Sequence, residues 1–269
     1  LNYMEVAHAQ LSSLTRNFIV KYSDDQTFNY QDYEPVDNNP DKKLFFSLLS
    51  VDNIRMKHLQ FMARFIMIER GEGYADLSDR KIEDFINSSK QDDGIGNYDF
   101  ENKPEAIATL KTLNVFYQIF KDDPMIDATS GIKELSVEYF IISVYLLIRH
   151  LHKYYVMDDS TKTNIREFVY NFHIRWKTYD ESTDIDLLTF SNRRQQGEKD
   201  LETRDIILRQ LFFKYLKDNN KELLEKDDKR AFTELERIII YRKGKGLCQQ
   251  CLREKKTVND AKVSWSNYQ

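Results

Sequence analysis

Residues 139–148, Tyr-Phe-Ile-Ile-Ser-Val-Tyr-Leu-Leu-Ile, form the richest apolar run in the chain and are closed by Glu138 and Arg149. A helix through this run is apolar on most of its faces, and such a helix is stable in water only when other elements surround it. The run is about half of the roughly 20 residues that a membrane-spanning helix needs. Burial in a protein core, with no membrane partner, is therefore expected. The central helix should reach His152 or beyond, with Ser136 as its cap and a bundle built round it. Only 8 Gly and 4 Pro in 269 residues favour long, uninterrupted helices over a turn-rich β architecture.

Helical periodicity continues on both sides of that run. In residues 2–22, Val6, Leu11, Leu14 and Phe18 recur mostly at helical spacing. In 51–69, Ile54, Leu59, Met62, Phe65 and Ile66 make a buried stripe, stopped by Gly71 and Gly73. Ile82, Phe85 and Ile86 place a helix in 78–88, and Pro104 suits the first position of the next, which runs towards Phe120. Residues 161–179 carry Ile165, Phe168, Val169, Phe172 and Trp176 at three- and four-residue steps. Residues 198–218 do the same through Leu201, Ile207, Leu208, Leu211 and Tyr215. A short helix fits 44–49, and 184–197 reads as a short helix or a loop. The expected fold class is all-α, a multi-helix bundle over residues 1–228, with a separate C-terminal segment over 229–269.

Net charge is -4, which gives no whole-protein attraction to nucleic acid. The charge is uneven, however. Residues 229–256 hold nine Lys or Arg against three acids (Glu234, Glu236, Glu254), a local balance of +6. That tail suits phosphate contacts, and it equally suits a solvated basic helix face. Two cysteines in a chain of this length are no secreted disulfide framework, so a reducing cytoplasm is the expected location. No signal peptide opens the chain. Its first residue is Leu1, and an N-terminal portion of the parent protein is expected to precede it.

The two cysteines, Cys248 and Cys251, are the strongest chemical signal. A Cys-x-x-Cys turn offers two thiolates to one Zn2+, and a structural site needs two more ligands. A redox Cys-x-x-Cys would follow a strand and open a helix. Here a helix over 233–242 comes first, opened by a Thr233-x-x-Glu236 capping box and followed by Lys243-Gly244-Lys245-Gly246. The pair reads as half of a zinc site, with chance spacing or plain burial as the alternative.

These residues also carry a resemblance. Arg230, Phe232, Thr233, Arg237, Ile240, Tyr241 and Arg242, then Gly246, Cys248 and Cys251, look like the opening of an HNH endonuclease domain. There a helix of the form R-x-F-T-x-x-x-R-x-x-I-Y-R leads to G-x-C-x-x-C. Trp265-Ser266-Asn267-Tyr268 is similar to the W-S-x-Y segment before that family's Asp-His pair on the ββα-metal hairpin. Segments of the body, Asn53-x-Arg55-x-x-His58 through Glu69 and Leu77-Ser78-Asp79 through Phe85, resemble the middle region of GmrSD-like restriction proteins. Those join a ParB-like N-terminal domain to a C-terminal HNH nuclease.

The resemblance implies a parent that cleaves DNA by metal-dependent phosphodiester hydrolysis, in restriction or anti-phage defence. A His would act as general base on water, and a divalent metal such as Mg2+ would polarise the scissile phosphate. The likeness further implies a structural zinc with Cys248 and Cys251 as its first half, in a module that begins a zinc-knuckle HNH fold. Arg242, Lys243 and Lys245 would neutralise DNA phosphates without reading bases. The family's catalytic His and second ligand pair would lie beyond Gln269, and its D-G-Q-Q-R-type motif is absent. No catalytic residue is assigned here, and this chain alone is expected to leave DNA uncut.

The remaining polar residues carry plainer readings. His150 and His152 stand two apart near the end of the central helix, point to different faces and read as interfacial caps. His58 and His173 lie beside apolar stripes and read as core or interface residues. Acidic doublets, Asp158-Asp159 among them, read as helix caps or solvated loops. Tyr30, Tyr33, Tyr74 and Tyr98 lie in loops, where base stacking competes with loop anchoring. The rival reading of the whole is a non-enzymatic interaction module, a homo-oligomer in which cysteines of two copies close one zinc.

Overall fold

The structure, a computed structural model, describes residues 14–23, 53–89, 100–121, 134–180 and 184–226, together with 5, 45–46 and 48–51. In the C-terminal part it describes 240–241, 243–248, 251, 257, 259, 261 and 262. Among the described residues there are eight α-helices and no strand. They are α1 Leu14–Tyr22, α2 Lys57–Arg70, α3 Asp79–Ser89, α4 Pro104–Phe120, α5 Glu138–Tyr154, α6 Asp159–Thr178, α7 Ile185–Asn192 and α8 Glu198–Asp218. The body is all-α. None of these helices is long and apolar enough to cross a membrane.

The apolar run becomes the centre of the bundle. Every residue of α5 from 140 to 148 is buried, as is Leu151. Helices α4 and α8 pack along α5, α2 packs on α4 and α1, and α6 lies against α4 and α8. Aromatic rings join these layers. Phe65 of α2 stacks on Tyr145 of α5 with centroids 4.2 Å apart, and Phe140 stacks on Phe172 of α6 at 5.9 Å.

Helix ends follow local chemistry. Gly71 and Gly73 close α2, their N–H groups donating to Met67 and Ile68 at 2.9 Å, and Gly73 takes φ +142°, where a side chain is disfavoured. Pro104 opens α4, where its missing N–H costs nothing. The Asp158 carboxylate accepts from the Thr161 amide at 2.7 Å and caps α6. The ambiguous 184–197 stretch contains α7, capped by Asp184 through the Leu187 amide. Ser136 does not hold the N-cap position of α5, which falls to Val137. It closes a short 3-10 turn, Glu134–Ser136, held by burial of Leu135 and by the Ser50 N–H on the Leu135 carbonyl. That packing moves the start of the helix.

Among the described residues, the buried arginines enter the interior with partners. Arg64 of α2, 4% exposed, donates to Glu138 at 2.6 Å, to Asp79 at 3.1 Å and to the Leu77 carbonyl at 3.2 Å. Burial raises the Glu138 carboxyl, but Arg64 and Lys57 outweigh it and hold the group below the usual carboxylate range. Arg204 of α8 is fully buried. It donates to the carbonyls of Arg193 and Gln195 and to Ser143, pinning the α7–α8 connection onto α5. Burial pushes Arg204 down to about 10, against the opposing pull of Asp200.

The chain divides into two compact units, Leu1–Leu224 and Glu225–Gln269. All eight helices belong to the first.

Candidate functional site

In the second unit a short helical stretch that includes Ile240 and Tyr241 ends in a tight reversal. Lys245 takes φ +51° and Gly246 φ +67°, two successive left-handed residues that turn the chain. Gly246 is needed there twice over, because a Cβ at that position would meet the Tyr241 hydroxyl oxygen at 3.1 Å. The Gly246 N–H donates to the Tyr241 carbonyl at 3.0 Å, and Leu247 donates to Gly244 at 2.9 Å. Leu247 then forms an isolated antiparallel bridge with Lys262, and the Cys248 N–H donates to the Ala261 carbonyl at 2.7 Å. Ala261 is fully buried, so the returning segment is packed against this turn.

Both cysteines carry thiols rather than a disulfide, and both are half-buried. The backbone N–H of Cys251 points at the sulfur of Cys248, with N···S 3.4 Å. The thiolate is the metal-binding form of cysteine. Two soft donors at one turn suit half of a tetrahedral zinc shell. Among the described residues no group of three or more His, Cys, Asp or Glu side chains converges on one point.

Lys243 and Lys245 are exposed, before and within the reversal. Arg242, the Thr233-x-x-Glu236 capping box and the Trp265–Tyr268 motif lie outside the described residues. So do Tyr30, Tyr33 and Tyr98, and the acidic doublets other than Asp158-Asp159.

His58 and His173 make structural contacts. The His58 ring stacks on Phe46 and its Nε2 lies 3.0 Å from the Val51 carbonyl. His173 is fully buried between Phe140 and Trp176, and neither ring nitrogen has a hydrogen-bond partner. Burial, with Lys177 nearby, pushes His173 down to about 4.

His150 belongs to a polar network that periodicity does not reveal. Tyr74, in the turn after α2, donates to Asp205 of α8 at 2.6 Å, and Arg209, one helical turn on, donates to both. Arg209 also donates to His150 Nδ1 at 3.2 Å, which leaves the imidazole proton on Nε2. Burial lowers His150 to about 4, helped by the charges of Arg209, Arg149 and Lys153. Burial raises Asp205 against the pull of Tyr74 and Arg209, and burial and Asp205 together raise the Tyr74 phenol. Tyr74 and His150 stand out in the sequence only singly, and the i, i+4 spacing of Asp205 and Arg209 is that of an ordinary surface ion pair.

Comparison of the chain with protein-family models, with curated proteins and with solved structures gives no match.

Proposed function

We propose that residues 229–269 carry the first half of a structural zinc knuckle at the head of an HNH-type DNA nuclease module, with the helical body as the middle region of that nuclease. The observation that carries the reading is the Cys251 amide directed at the Cys248 sulfur, in a turn closed by the Leu247–Lys262 bridge. A metal turn accommodates it, since a zinc site needs both sulfurs as thiolates facing one point.

The surrounding residues fit the same purpose. Lys243 and Lys245 are exposed on a segment whose local balance is +6. They suit neutralisation of backbone phosphates. Arg242 would join them. Zinc, when bound, would supply folding free energy to this module. Cys248 and Cys251 would supply two ligands, and a second ligand pair would complete the shell. Phosphodiester cleavage, assisted by a divalent metal such as Mg2+, would be the activity of the intact nuclease in restriction or anti-phage defence, and no residue of this chain is assigned to it.

Duplex DNA binding, read by fluorescence anisotropy with and without a zinc chelator, tests the reading. Binding that weakens on chelation supports it. Binding unchanged by chelation and by removal of both lysines contradicts it. Zinc shared between two copies, with dimers lost on chelation, would instead favour the interaction-module reading.

A further inference from the structure

A cleft with a volume of about 250 Å³ lies between α6 and α8 of the helical body, apart from the cysteine turn and from the Tyr74 network. Two rows of side chains from each helix line it. Phe168 and Phe172 stand four residues apart on α6, and Leu211 and Tyr215 stand four apart on α8. Residues at that spacing share one helix face, and these four make the floor. The neighbouring rows, Asn171 with Arg175 and Lys214 with Asp218, make the two rims.

The floor is apolar and held in place. Phe168 packs edge-on against Phe212 with centroids 5.2 Å apart, and Phe172 against Phe190 at 5.0 Å. Phe168, Phe172 and Leu211 are 4%, 4% and 8% exposed, whereas Phe190 and Phe212 behind them are fully buried. The Tyr215 hydroxyl donates to Glu167 at 2.7 Å and accepts from Lys221 at 2.8 Å, which fixes its ring.

The rims carry charge of both signs. Lys221 is balanced by Glu167, and Arg175 by Asp184. Lys214 is exposed and makes no ion pair among the described residues. Asp218, one helical turn on, does not close onto it, unlike Asp205 and Arg209 at the same spacing. One ammonium without a counter-charge therefore stands at the edge of an apolar floor. An occupant that answers both has an apolar body and one negative charge. A second negative charge would be repelled by Asp218 at the same rim. Pockets for drug-sized ligands begin at roughly 300 Å³, so the body here is small.

We propose that this cleft binds a small monocarboxylate with an apolar, ring-sized body. The body lies on Phe168, Phe172, Leu211 and Tyr215, and the carboxylate accepts from Lys214. Arg175, already balanced by Asp184, closes the other rim.

An NMR shift titration of the full chain with phenylacetate tests this. Phenylacetamide keeps the ring and lacks the charge, and acetate keeps the charge and lacks the ring. Phenylacetate should bind saturably, with shifts centred on 168–175 and 211–218. Acetate should be weaker by about tenfold or more, the value of burying a ring. Phenylacetamide should be weaker by about fivefold, the value of one ion pair at a surface. Lys214→Ala removes an exposed side chain, so its melting temperature without ligand should be unchanged. Its phenylacetate affinity should fall about fivefold while its phenylacetamide affinity stays the same. No saturable shift, shifts centred elsewhere, equal affinity for phenylacetate and phenylacetamide, or wild-type phenylacetate affinity in Lys214→Ala would each overturn the assignment.

Discussion

The amide of Cys251 is directed at the sulfur of Cys248, 3.4 Å away, just after the left-handed turn at Gly246. At φ +67°, with the Tyr241 hydroxyl oxygen 3.1 Å from where a Cβ would be, Gly246 disfavours any side chain. Gly246→Ala should cost about 1–2 kcal/mol, the usual penalty of a left-handed residue with a side chain. That free energy is drawn from the metal-ready turn, so zinc affinity should drop about tenfold. Competition against a zinc indicator measures it, and unchanged affinity would detach the turn from metal binding.

Lys243 and Lys245 are assigned to phosphates and to nothing else. Each phosphate contact contributes about 0.9 to the slope of log affinity against log salt. The double variant Lys243→Ala/Lys245→Ala should therefore flatten that slope by about 2 for duplex DNA, equally for unrelated sequences. A change confined to one sequence would mean base reading, against the proposal.

Arg64 and Glu138 hold α2, α3 and α5 together from inside. Arg64→Ala leaves Glu138 without its main partner and should destabilise the body by about 3 kcal/mol, as broken buried pairs do. Urea unfolding gives the number. Because the folded Glu138 pKa lies below its ordinary value of 4.5, the unfolded chain binds more protons there. Its stabilisation is present above pH 4.5 and is lost as pH falls towards the folded pKa. Glu138→Gln should be less stable at pH 7 and show a shallower acid limb.

His173 works the other way round chemically, with the same sign. Its folded pKa of about 4 lies below the ordinary 6.5, so the folded ring stays neutral while the unfolded ring takes a proton. Stability is full above pH 6.5 and falls between 6.5 and 4. His150 shares this window. His173→Leu removes a buried polar ring with no partners, and should gain about 2 kcal/mol at pH 5 relative to pH 7. Thermal melts at the two pH values decide it. A parallel loss at both would show that ring packing against Phe140 and Trp176 matters more.

Most of the bundle was legible because helical period reports the buried face directly. The 139–148 run marked α5 as the centre, Pro104 marked the start of α4, and Gly71 with Gly73 marked the end of α2. Period does not report which distant side chain meets which. Arg64 and Glu138 are 74 residues apart, and Tyr74 and Asp205 are 131 apart. Arg204 and Asp205 look like solvated helix residues in sequence, yet both are buried, because α8 lies against α5 and brings their partners from α5, from the turn after α2 and from the 193–196 connection. Ser136 was misplaced as a cap for a related reason, since burial of Leu135 set the turn. The cysteine turn was legible as spacing, and its N–H···S geometry was not.

Metal content of the protein expressed from its natural gene tests the central proposal most directly. The measurement is zinc per protomer, combined with X-ray absorption to count sulfur ligands near the expected Zn–S distance of about 2.3 Å. The account predicts one zinc per protomer, with Cys248→Ser and Cys251→Ser each losing it. Zinc retained in both variants, no zinc under reducing conditions, or one zinc shared by two protomers would contradict it.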